Sequence, residues 1–186
     1  MTITDRIISG FFFLLTTIFI VFVFIDEKFF DWVFWRHQNI LSWYIRPIFI
    51  IPFCFFSYKR SLVGVSITLF LLFTSMFWFT PSNDISEEVK EFLEFEKRYL
   101  QESWGIKEWI FTLSVPLSLW FLARAFWKRS FLLGAGVMIV IALAKIGWSV
   151  NYAGDAGRSI LIPALAGLFL CLAIFYLFRK RLIKNN

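Results

Sequence analysis

Three ionisable residues stand in stretches otherwise built to avoid water: Arg46, Lys145 and Glu96. Arg46 and Lys145 each interrupt a long apolar run, and Glu96 interrupts the apolar face of a helix. Winding residues 85–103 at about 100° per residue puts Ile85, Val89, Phe92, Leu93, Tyr99 and Leu100 on one face. Glu96 falls inside that face, about 40° from Phe92. A carboxylate there must find a partner or keep its proton, because burying the bare charge is costly.

The chemistry these residues can do is the holding of charge. Arg46 lies about six residues below the start of its apolar run and Lys145 about five below the end of its own, so both reach roughly 8–9 Å into the same half of a membrane. Three readings follow. Both side chains can snorkel to the headgroups. Glu96, Asp155 or Asp31 can close over them as an ion pair that pins the helix 85–103. Or the cations can bind the phosphate or carboxylate of a lipid or small anionic solute. Lys145, Trp148, Ser149 and Tyr152 recur at helical spacing and lead to Asn151, Asp155 and Arg158, which reads as a packing stripe or as one wall of a pocket. The ligand-binding candidates are therefore Arg46, Glu96, Lys145, Trp148, Ser149, Tyr152, Asp155 and Arg158.

Other chemistry has little to work with. His37 is the single histidine and reads as an interface residue beside Arg36. Haem and histidine-rich metal sites are disfavoured, and Glu88, Glu91 and Glu96 match no EF-hand or HExxH spacing, so neither a cofactor nor a metal is expected. GxSxG is absent, and Ser149 four residues after Lys145 lacks any oxyanion-hole signature. Cys54 and Cys171 lie in apolar runs without CxxC spacing and read as buried small hydrophobes. FWFTPSND and NYAGDAGRS stand out in composition, but no activity attaches to either.

The elements that position these residues are membrane helices. The chain of 186 residues is 59% hydrophobic and only 17% charged, whereas soluble domains carry about 25% charged residues. Apolar runs of this length predict spans at 7–25, 40–57, 61–79, 108–127, 131–150 and 159–178. The first exceeds a signal-peptide core and no small-x-small site follows it, so it is read as a retained span. Aromatics mixed with charges over 26–39 predict a short interfacial helix or turn. An amphipathic helix is expected over 85–103, with Asp84 as N-cap and Glu87 completing a capping-box-like pair. Gly134 and Gly136 favour close helix approach, and no internal repeat is evident.

The net charge of +6 is distributed as membrane orientation requires, not as a nucleic-acid footprint. With both termini inside, the N-terminal segment, inner turns and tail hold ten lysines and arginines against seven outside, and the inner turns carry no acid. The expectation is an all-α polytopic helix bundle in a bacterial inner membrane. It has six spans, cytoplasmic termini and an amphipathic outer-side helix between spans 3 and 4. Its expected role is non-enzymatic: binding an anionic lipid or amphiphile, or a partner membrane protein, at the outer leaflet, with a homo-oligomer also open. The rivals are a small-solute transporter or channel, and an outer-leaflet enzyme using Glu96 with Arg46 and Lys145. Against transport, spans 1 and 3 are uncharged and the inner halves of spans 2 and 5 are apolar.

Overall fold

The computed structural model describes residues 2–82, 85–101 and 104–184, with the main chain alone over 181–184. Every regular element among them is helical: α1 (Ile3–Ile25), α2 (Glu27–His37), α3 (Ile40–Tyr58), α4 (Leu62–Thr74), α5 (Glu87–Gln101), α6 (Ile106–Trp127), α7 (Phe131–Ala153) and α8 (Leu161–Lys184). Short 3-10 turns follow α4, at Ser75–Phe77, and precede α8, at Ala156–Ile160. Asp84, the expected N-cap of the helix at 85–103, and Ser103 at its end lie outside the described residues. The chain divides into two compact units, 1–83 and 84–186.

In the first unit, local capping sets the path. Asp26 ends α1 and at once caps α2, accepting from the Phe29 amide at 2.7 Å, so the chain turns without a loop. The stretch at 26–39 is thus a helix, and it buries Phe30, Val33, Phe34 and His37. Asn39 caps α3 through the Leu41 amide at 2.8 Å and donates to the Thr80 carbonyl. α4 packs between α1 and α3. Ser9, Thr16, Ser57, Ser66 and Thr68 are buried, each bonded to a carbonyl of its own helix. Small side chains satisfied this way let helices approach closely without orphaned hydroxyls.

In the second unit, α7 packs against both α6 and α8, while α5 packs on the 3-10 turn at Ala156–Ile160. Phe126 is fully buried against Phe175, ring centroids 4.8 Å apart. α5 buries Val89, Phe92 and Leu93, and exposes Glu87, Glu88, Glu91 and Glu94.

Five helices are long and apolar enough to cross a membrane: α1, α3, α6, α7 and the stretch Ala156–Lys180. Their outward apolar side chains, such as Phe11 and Ile18 on α1 or Leu113, Leu117 and Trp120 on α6, are exposed. This is a helical, multi-pass membrane protein. The run at 61–79 differs from a full-length helical span. α4 has 13 residues and then tightens into the 3-10 turn, about 20 Å of regular helix against a hydrocarbon core of about 30 Å. At that point Thr74 and Ser75 turn their hydroxyls onto the Phe70 and Leu72 carbonyls at 2.9 and 2.7 Å, a competition that bends or ends helices.

Candidate functional site

The second unit assembles most of the candidate residues. Lys145 projects from α7 and its ammonium pairs with the Glu96 carboxylate from α5. The same ammonium lies over three ring faces, at 4.8 Å from the centroid of Trp148, 5.4 Å from Phe92 and 5.7 Å from Phe111. Ring quadrupoles attract a cation held at such distances, more strongly once water is displaced. The Lys145 side chain keeps 34% of its exposure and Glu96 18%, so the pair is shielded without being sealed. Of the counter-ions open in the sequence, Glu96 is the one that closes on Lys145.

The aromatic wall is continuous. Trp148 stacks on Phe111 at 4.0 Å with 18° between planes, and on Tyr152 at 5.9 Å. Tyr99 meets Trp148 and Phe111 edge-on, at 5.3 and 5.4 Å, and Phe95 lies 5.5 Å from Trp148. Offset and edge-on pairs of this kind add to what area burial contributes. Burial, reinforced by the Glu108 carboxylate, raises the Tyr99 phenol above its ordinary 10.0, so it stays a neutral hydrogen-bonding group at physiological pH. Helical spacing on α7 had pointed to Trp148 and Tyr152. Phe92 and Tyr99 had been assigned only to an apolar face, and Phe95 and Phe111 had no signal, since their roles depend on how α5 and α6 meet α7.

Ser149 is placed differently from the pocket wall the spacing suggested. It is fully buried, its hydroxyl has no hydrogen-bond partner among the described residues, and the chain at Gly157 covers it: a Cβ built on Gly157 would lie 2.0 Å from the Ser149 carbonyl oxygen. Asp155 and Arg158 pair with each other at 3.2 Å across the exposed turn before α8.

Arg46 belongs to the first unit and has partners of its own there. One guanidinium nitrogen lies 3.0 Å from His37 Nε2 and 3.2 Å from Nδ1, Nδ1 lies 3.1 Å from the Ser42 hydroxyl, and that hydroxyl donates to the Asn39 carbonyl at 2.7 Å. Arginine only donates, so Arg46 and the Ser42 hydroxyl together hold the His37 ring between α2 and α3. His37 is 3% exposed: it is a buried link between α2 and α3, set against Arg46 and Ser42. Arg36 donates to the Phe77 carbonyl at 3.1 Å, and with Asn39 it ties the segment after α4 to the α2–α3 corner.

Among the described residues no three His, Cys, Asp or Glu side chains converge as a metal would require. Comparison with protein-family models, with curated proteins and with solved structures gives no match. What can be said of function therefore comes from the chemistry of the site: a shielded ion pair set in an aromatic wall, on the helices of a multi-pass membrane protein.

Proposed function

We propose that this chain is a six-span inner-membrane protein that binds an anionic lipid or amphiphile at the outer leaflet, and that Lys145 is the residue that holds the anion. The single observation that supports this is the Lys145 ammonium, paired with Glu96 inside a ring of Trp148, Phe92 and Phe111 yet still one-third exposed. A phosphate or carboxylate competes for that ammonium by displacing Glu96, while the rings and Tyr152 offer apolar surface to the adjoining chain. Glu96 thus holds the empty site in shape and gates it. A partner membrane protein presenting a carboxylate would use the same exchange. Arg46, with its network on α2 and α3, is assigned a positioning role in the first unit.

The test is native mass spectrometry of gently extracted protein supplied with phosphatidylglycerol or phosphatidylcholine. Wild type retains an anionic lipid at this site, Lys145→Ala retains one molecule fewer, and Glu96→Gln holds that molecule more tightly because the competing carboxylate is gone. Equal retention by all three proteins would end this reading.

In the proposed topology both termini are cytoplasmic, α4 with its 3-10 turn serves as the third span, and α5 is an amphipathic helix on the outer side. The lysine and arginine distribution supports it. In a cysteine-free background, an impermeant thiol reagent labels Ser86→Cys in intact cells and leaves Lys184→Cys unlabelled until the cells are opened. The reverse pattern would overturn the orientation.

A further inference from the structure

The two units contain the same helical corner. α3 ends at Lys59, Arg60 takes φ +57°, and Ser61 caps α4; α6 ends at Lys128, Arg129 takes φ +58°, and Ser130 caps α7. The dihedrals of the lysines (φ −72° and −75°) and serines (φ −94° and −101°) agree closely. The hydrogen bonds correspond one for one. Lys59, Arg60 and Ser61 donate to Phe55, Ser57 and Phe56, and Lys128, Arg129 and Ser130 donate to Arg124, Phe126 and Ala125. Each pattern is a Schellman motif. In both, a phenylalanine ring at the end of the first helix rests on a glycine of the second, Phe56 on Gly64 and Phe126 on Gly134.

Pro47 of α3 and Pro116 of α6 stand at the same distance before the two Lys-Arg-Ser triplets, so the correspondence covers the corners and the helices that lead into them.

Both corners place arginine in the left-handed region, where glycine or asparagine sits without strain. Arg60 and Arg129 are the two described residues other than glycine with positive φ. A strained residue kept twice at the same place points to a use for its side chain. Lys59, Arg60, Lys128 and Arg129 are all exposed, at the ends of apolar helices, the level at which lipid phosphates lie.

We propose that each Lys-Arg-Ser corner is a binding site for the phosphate of an anionic lipid, one site per unit. These sites are separate from the one at Lys145. Only the choice of leaflet, the cytoplasmic one, rests on the topology proposed above.

The experiment compares retention of phosphatidylglycerol over phosphatidylcholine, by native mass spectrometry, for wild type, Arg60→Asn, Arg129→Asn and the double variant. Asparagine tolerates the left-handed conformation, so the corners keep their fold, and an unchanged or higher melting temperature checks this. Each single variant loses about five-fold in preference at its own corner and leaves the other corner unchanged, and the double variant loses about five-fold at both, on the scale of one basic residue at a membrane surface. Native mass spectra count the bound lipids: Lys145→Ala lowers the count by the one lipid at that site and leaves the corner-bound lipids, whereas the double corner variant keeps the lipid at Lys145, so failure at either class of site is read independently. A double variant that retains the wild-type preference would overturn the proposal. So would complete displacement of the lipid by millimolar inorganic phosphate, since the corners would then be sites for the free ion.

Discussion

Replacing Lys145 by alanine lowers the melting temperature of the detergent-extracted protein by about 5–10 °C, the largest effect expected of any change at the ion pair. Three losses coincide. The Glu96 carboxylate loses its counter-ion while only 18% exposed. The cation leaves the rings of Trp148, Phe92 and Phe111. The aliphatic stem of Lys145 no longer fills the space between α5 and α7. Removing one partner of a fully buried pair costs about 3–5 kcal/mol. The residual exposure of Lys145 reduces this to about 2–3 kcal/mol, and each kcal/mol corresponds to about 2–4 °C in a chain of this size. Glu96→Gln is milder, about 1–2 kcal/mol, because the amide still accepts a hydrogen bond and the rings still hold the ammonium. The cycle completed by the double variant Lys145→Ala with Glu96→Gln isolates the pair, and a coupling of about 1–3 kcal/mol is expected for groups in direct contact. A coupling near zero, with Lys145→Ala melting like wild type, would show that α5 is held by its apolar face alone.

Gly157→Ala prevents the second unit from closing as it does in the native chain. The added Cβ would stand 2.0 Å from the Ser149 carbonyl oxygen, 2.5 Å from its carbon and 3.0 Å from the Val150 nitrogen. All three are backbone atoms of α7, so no rotamer change relieves the clash. Either α7 distorts or the turn at Ala156–Ile160 lifts, and α5 packs on that turn. The loss is about 3 kcal/mol or more, in the range of severe overpacking, and is read as a fall in melting temperature or in extracted yield. Gly147→Ala is the matched control: on the same helix, its Cβ would meet nothing within 4 Å. Alanine also favours the helix by up to about 1 kcal/mol, so the control melts at or above wild type. Similar behaviour of the two variants would show that the turn is not pressed against α7.

Sequence by itself determined that this is a helical membrane protein and where most of its helices run. That information is local: apolar runs long enough to span, ended by Asp26, Asn39, Ser61 and Ser130, whose side chains cap the next helix. It also marked Glu96 as a carboxylate in need of a partner, because helical periodicity alone put it on an apolar face. Which partner it takes was decided by tertiary structure. Lys145 is far from Glu96 in sequence, and it meets the carboxylate because α5 rests on the turn before α8. The same holds for Phe111, set against Trp148 by the pairing of α6 with α7, and for Ser149, buried because Gly157 lets the backbone approach. His37 read as an interface residue beside Arg36, and only the fold shows it buried against Arg46 and Ser42. The shortness of α4 was also hidden, since a composition fit for a span does not reveal where Thr74 and Ser75 turn back onto the backbone. The repeated Lys-Arg-Ser corner lies between these cases. Its residues are plain in the sequence, but their equivalence shows only in matching dihedrals and hydrogen bonds, because the residues around the two triplets differ.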